Sequence, residues 1–246
     1  MDLGLKSKKA LVWGASQGIG HAIAESLVKE GATVTVASRS ADKIKSAKDK
    51  INADHAVTLD LTKPGEAIKS IQKATELMGG LDILIINTGG PAKNNFEDVT
   101  NEQWQTDFQN LWLSATDGIK EVLPEMKKNR FGRIVLVSSI AAREPLAGLT
   151  TSNGFRAGLA GLFKSISSEV ASHGITLNIA CPGYTNTERI QALNLDEDTV
   201  KKLVPAGRLG EPNELADLVC FLSSEKAAYI TGQQIAVDGG SNKGIY

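Results

Sequence analysis

The stretch from residue 10 to residue 20 decides the fold: Ala10-Leu11-Val12-Trp13, then Gly14-Ala15-Ser16-Gln17-Gly18-Ile19-Gly20. The first four residues are a short apolar run of the kind that fills a buried strand. A helical pattern opens inside the glycines. Ile19, Ala22, Ile23 and Leu27 share one face, and Gly31 supplies the stop. Small residues let a backbone approach a pyrophosphate, and the free N–H groups of a new helix point at its negative charge. A glycine pattern alone is weak evidence, but one set between an N-terminal strand and a helix is much more specific. The competing reading is a tight turn whose glycines serve packing only. We read the turn as a dinucleotide site for NADP(H) or NAD(H), with Gly14, Ser16, Gln17, Gly18, Ile19 and Gly20 against the cofactor.

Outward from this turn, apolar runs at 33–37, 56–59, 81–86, 133–137, 175–180 and 233–237 alternate with helical patterns. Near-continuous apolar strands with helices between them imply a parallel sheet covered on both faces. Right-handed crossovers then give a doubly wound sheet. The expected fold is α/β, a single Rossmann domain over residues 1–246 with a seven-stranded parallel sheet. No linker or internal repeat interrupts it. Residues 182–208 lack a strand and are rich in polar residues, which marks them as a mobile substrate flap.

The end of the second strand should meet the adenosine ribose. An acidic residue there would hold both ribose hydroxyls and favour NAD. Ser38-Arg39 stands there instead, and arginine suits a 2′-phosphate through charge-assisted bonds. NADP(H) is therefore expected over NAD(H), although Gln17 supplies no second cation. Asp60 and Leu61 close this end of the site, with Asp60 either accepting from the adenine amino group or serving as a plain turn residue.

The formal net charge of −1 implies no bulk attraction to nucleic acid or to an anionic membrane. The basic cluster Lys6-Ser7-Lys8-Lys9 reads as a solvated loop beside a strand. Cys181 and Cys220 form neither a disulfide framework nor a metal spacing, and no metal is expected. With no signal-peptide pattern and no apolar span, the expected location is the cytoplasm.

At this point the chain resembles the short-chain dehydrogenase/reductase family, and 3-oxoacyl-acyl-carrier-protein reductases within it. The glycine turn is similar to that family's Gly-x-x-x-Gly-x-Gly. Asn87-Thr88-Gly89-Gly90 resembles its Asn-Asn-Ala-Gly segment, Asn110 falls at its proton-relay asparagine, and residues 132–139 resemble the strand ending in its catalytic serine, Ser139. Pro182-Gly183 with Thr185 and Thr187 resembles the turn that touches the nicotinamide, and residues 229–240 resemble the C-terminal signature. The resemblance therefore places Asn87, Gly89, Pro182, Gly183, Thr185 and Thr187 on the cofactor. It also implies a homotetramer built on long paired helices. The helices expected at 101–127 and 152–173 carry apolar residues on more than one face, as paired helices do.

The active-site helix departs from the pattern. Where the family carries Tyr-x-x-x-Lys, the chain has Ser152-Asn153-Gly154-Phe155-Arg156. A serine hydroxyl is a far weaker acid than tyrosine, and an arginine stays protonated. Arg156 can still bind the nicotinamide ribose. Ser152 reads equally as a helix N-cap or first-turn polar residue. The candidate catalytic residues are Ser139, Asn110, Ser152 and Arg156. Two functions stand. One is an NADP(H)-dependent reductase of a small molecule, acting on a carbonyl or an activated C=C bond, with Ser139, Ser152, Tyr184 or a water giving the proton. The other is a nucleotide-binding protein without turnover.

Overall fold

A computed structural model describes residues 2–244 of the chain. The order is β1 (Lys9–Trp13), α1 (Gly18–Lys29), β2 (Thr33–Ser38), α2 (Ala41–Ile51), β3 (His55–Thr58), α3 (Glu66–Met78) and β4 (Ile83–Ile86). There follow α4 (Asn101–Asp107), a π-helical turn (Phe108–Leu113), α5 (Ser114–Asn129), β5 (Gly132–Val137), α6 (Thr150–Val170) and β6 (Ile175–Pro182). The chain continues through α7 (Glu188–Gln191), α8 (Glu197–Leu203), α9 (Pro212–Leu222) and β7 (Gln234–Val237). All seven strands are parallel, in the order β3-β2-β1-β4-β5-β6-β7.

The apolar strands follow from burial on both faces. β4 and β5 are buried throughout, whereas the edge strands β3 and β7 are only part-buried. Alternate residues of β1 divide between two cores. Ala10 and Val12 pack with α1, α2 and α9 on one face; Leu11 and Trp13 pack with α3, α5 and α6 on the other. Each face is thus a dry layer of helix on sheet, the arrangement that excludes water from a parallel sheet's backbone. Two corrections to the sequence reading concern local structure. Lys8 and Lys9 are not simply solvated: Lys8 lies 3.8 Å over the Phe131 ring and pairs with Glu225, and Lys9 opens β1. The helix expected at 101–127 is interrupted by the π-helical turn.

β1 pairs with both β2 and β4, so the chain winds outward to β3 and returns beside its own start. A crevice opens at such a switch point, outside the C-terminal ends of the strands. At the far edge β7 is held by side chains as well as by its ladder. Asn178 of β6 donates to the Ile230 carbonyl (2.7 Å) and accepts from the Gln233 N–H (3.1 Å). Among the described residues no helix is long and apolar enough to cross a membrane.

Candidate active site

Two hollows meet in this crevice, and Asn87, Gly89 and Gly90 line both. The larger, about 690 Å³, runs over the ends of β1 and β2. Gly14 takes φ +62°, and a Cβ there would strike the Asn87 carbonyl. The Asn87 amide in turn donates to the Gly14 carbonyl (3.2 Å), locking the turn to the loop after β4. Gly20 is buried against the Gly14 carbonyl with no room for a side chain. It and Gly18, which faces Thr187, keep α1 close and do not line the hollow. The wall is formed by Gly14, Ser16, Gln17, Ser38, Arg39, Asp60, Leu61 and Asn110.

Three features fit this hollow to a phosphorylated dinucleotide. The side-chain-free turn leaves backbone room for a pyrophosphate before α1. The Ser38 hydroxyl is buried at the wall and has no hydrogen-bond partner among the described residues. Arg39 and Lys43 together place two cations at the rim. Asp60 forms a local turn, accepting from the Thr62 N–H (3.2 Å) and hydroxyl (2.7 Å). The Thr62 hydroxyl bond, helped by Lys63 and Arg39, holds its carboxyl below the usual aspartate range.

The smaller hollow, about 320 Å³, lies over the ends of β5 and β6. It brings together Ile19, Ser139, Ser152, Arg156, Pro182, Gly183, Thr185 and Thr187. Ser139 follows β5, and its Oγ accepts from the Ala141 N–H (3.1 Å), which leaves the hydroxyl proton to donate. Ser152 does not cap α6; the cap position is Leu149, and Ser152 is buried inside the first turn. One turn on, Arg156 donates from Nε to the Ser152 Oγ (3.1 Å). Its other donors reach the Val137 carbonyl (3.3 Å) and the Gly89 carbonyl (2.8 Å). Three of the five guanidinium N–H groups are thus engaged and two remain. Burial pushes the Arg156 pKa down to about 10, and the like charge of Arg189 adds to this, so the group is still a cation at neutral pH. Asn110 sits in the π-helical turn, where its carbonyl accepts from the Ser114 hydroxyl.

Residues 182–208 include the short helices α7 and α8. Asp196 caps α8 by accepting from the Thr199 N–H (2.7 Å), a signal readable in the sequence. Gln17 donates to Glu188 (2.8 Å) and Arg189 donates to the Pro91 carbonyl (2.8 Å), so α7 is tied to the glycine turn and to the loop after β4. The site residues expected from the sequence do not include Lys43, Ser138, Lys93 or Arg189, Arg189 counting there only among the polar residues of the flap; Lys43 lines the larger hollow and the other three the smaller. Lys43 was findable, four residues beyond Arg39 on the first turn of α2. Lys93 and Arg189 were not, because distant loops bring them together. Among the described residues no cluster of His, Cys, Asp or Glu is placed to hold a metal.

Sheet order, glycine turn and crevice together define a single-domain Rossmann-type α/β fold with a seven-stranded parallel sheet. The profile of the family described as Enoyl-(Acyl carrier protein) reductase matches residues 14–242. The chain belongs to the short-chain dehydrogenase/reductase family. It is 39% identical to the 3-oxoacyl-[acyl-carrier-protein] reductase FabG of Vibrio cholerae over 241 residues, 97% of this chain and 98% of that one. It is 34% identical to the NADPH-dependent reductase BacG of Bacillus subtilis over 259 residues, 98% of this chain and all of that one. The crystal structure of L-sorbose reductase from Gluconobacter frateurii, complexed with NADPH and L-sorbose, superposes with a TM-score of 0.93 at 30% identity, covering 100% of both chains.

Proposed function

We propose that the chain is an NADP(H)-dependent reductase of a small carbonyl or activated C=C compound, with Ser152 and Arg156 standing where the family has tyrosine and lysine. The observation that carries this reading is the buried Ser152–Arg156 pair, bonded at 3.1 Å, in a hollow shared with Ser139 and continuous with the nucleotide cleft. Its relatives include an NADPH-dependent reductase and 3-oxoacyl reductases, which supports both the chemistry and the cofactor. NADPH bound in the cleft would supply hydride. The remaining work falls to side chains: Ser139 and Ser152 donate hydrogen bonds to the oxygen on which negative charge develops, and the guanidinium of Arg156 holds Ser152 in place and adds positive field. Neither serine has a pKa near neutrality, as an efficient general acid needs. The site therefore favours substrates that need oxyanion stabilisation more than rapid protonation, such as enones and electrophilic ketones.

NADPH consumption against ketones, β-ketoacyl thioesters and enones tests the reading. Tight NADPH binding with no consumption on any of them would establish the second reading, a nucleotide-binding protein without turnover. That reading is favoured by Arg156 itself, which cannot relay a proton while it stays charged. The assembly we propose is a homotetramer. Trp104 and Phe108 from the helix before the site meet Phe155 of α6 at ring distances of 5.6 and 5.8 Å, and Phe108 remains exposed. The free, buried thiols of Cys181 and Cys220 suit a reducing compartment such as the cytoplasm.

A further inference from the structure

The charged side chains that line the smaller hollow are Lys93, Arg156 and Arg189, and no carboxylate lines it. Arg156 is buried, its hydrogen bonds go to neutral oxygens, and it is in no ion pair among the described residues. Burying a cation without a counter-charge is costly, and a fold that retains one has a use for it. Glu188, the acidic neighbour of Arg189, is turned away to Gln17. Arg189 is seated by a specific device. Its guanidinium crosses directly over Gly90, where any Cβ would collide with it, and donates to the Pro91 carbonyl at 2.8 Å. The guanidinium is thus held at the mouth by one bond, with its other N–H groups left over.

We propose that this hollow recognises a substrate bearing a carboxylate, with Arg189 and Lys93 binding the anionic group at the mouth while Arg156 balances charge at the floor. This rests on the reductase reading and names its substrate class: a small oxo acid or unsaturated oxo acid. The fork of a guanidinium matches two carboxylate oxygens. A volume of about 320 Å³ is ample for a small acid, and Leu149, Ile190 and Leu193 provide an apolar wall for its carbon skeleton.

The test separates binding from turnover. The NADPH-loaded protein is titrated by calorimetry with phenylpyruvate and with the enone acid benzylidenepyruvate, and with the methyl ester of each. The acids should bind at least about tenfold more tightly than the esters, the loss expected for one charge-assisted bond. Arg189→Ala should erase that difference, Arg189→Lys should restore part of it, and Lys93→Ala should reduce it. Equal affinity of acid and ester, or no binding of any acid, overturns the proposal. So does an Arg189→Ala variant that loses NADPH affinity to the same extent, because the arginine then serves the cofactor's pyrophosphate. Retention of the wild-type melting temperature establishes that each variant is folded. If Arg189→Ala is unfolded, Arg189→Lys and Lys93→Ala decide, and unchanged acid preference in both overturns the proposal. NADPH consumption, followed in parallel, reports on the reductase reading by itself: acids bound but never reduced leave the carboxylate subsite standing and remove the reductase.

Discussion

At the scale of single residues the proposed reductase turns on how a serine and an arginine would share work usually given to stronger proton donors. Ser152 accepts from Arg156 and keeps its own proton to give, so in the proposed reductase the pair would polarise an oxygen without moving charge along a chain. If Ser139 is an oxyanion donor, Ser139→Ala should lower kcat by about one hundredfold, near 2.7 kcal/mol. Unchanged turnover would remove that role. Replacing the pair by Ser152→Tyr with Arg156→Lys should raise activity on simple ketones, read as kcat/KM on a saturated ketone. At the other end of the cleft, Arg39→Ala should weaken NADPH by at least about tenfold and leave NADH unchanged, because only the former carries a 2′-phosphate. Calorimetric titration of both nucleotides decides it, and Lys43→Ala should act in the same direction. Arg39 was legible in the sequence because strand ends and ribose positions are linked by fold geometry. Arg189 was not, because its seat exists only where Gly90, far off in the chain, has no side chain.

At the scale of elements, strands were legible wherever both faces are buried. The run at 133–137 needed one residue added, whereas the run expected at 81–86 shortens to β4 at Ile83–Ile86, with Asp82 still bonded through its backbone to Lys9 on one side and Arg133 on the other. The π-helical turn was invisible. Phe108, Leu111 and Trp112 keep ordinary helical spacing, and one extra residue in a turn leaves no mark on composition. The start of α9 is set by local signals and strengthened by a neighbouring charge. Pro212 opens the helix, the Glu214 carboxylate accepts from the Glu211 N–H (2.7 Å), and Arg208 forks onto both of its oxygens (2.7 and 2.8 Å). The Arg208 bonds, with the Glu211 N–H behind them, hold the Glu214 carboxyl at about 2, below its ordinary 4.5. A carboxyl depressed on folding stabilises above its unfolded pKa and loses that contribution as the pH falls through its folded pKa. Glu214→Gln should therefore melt lower than wild type above about pH 4.5, with the gap closing as the pH falls towards 2. The pair is exposed, so added salt should shrink the gap. A gap that widens in acid would refute the assignment.

At the scale of the whole molecule, the sequence announced the sheet but not how its two hollows are joined or how α7 is tied across them. The aromatic contact of Trp104, Phe108 and Phe155 lies on the outer face of the helix pair. If copies of the chain meet there, light scattering at micromolar concentration should give a tetramer, and Phe108→Glu should dissociate it into smaller species. A monomer in the wild type would refute the assembly. The late placement of β7 has a consequence for synthesis. β6 ends at Pro182, but the strand that covers its outer side begins only at Gln234, and the Asn178 amide waits for Ile230 and Gln233. During translation β6 must therefore stand as an apolar, unpaired margin while the intervening residues leave the ribosome. Such a margin is a template for strand addition by another nascent chain. The yield of native protein should then depend on how quickly the ribosome traverses that interval, and on chaperones that shield β6 until its neighbour arrives.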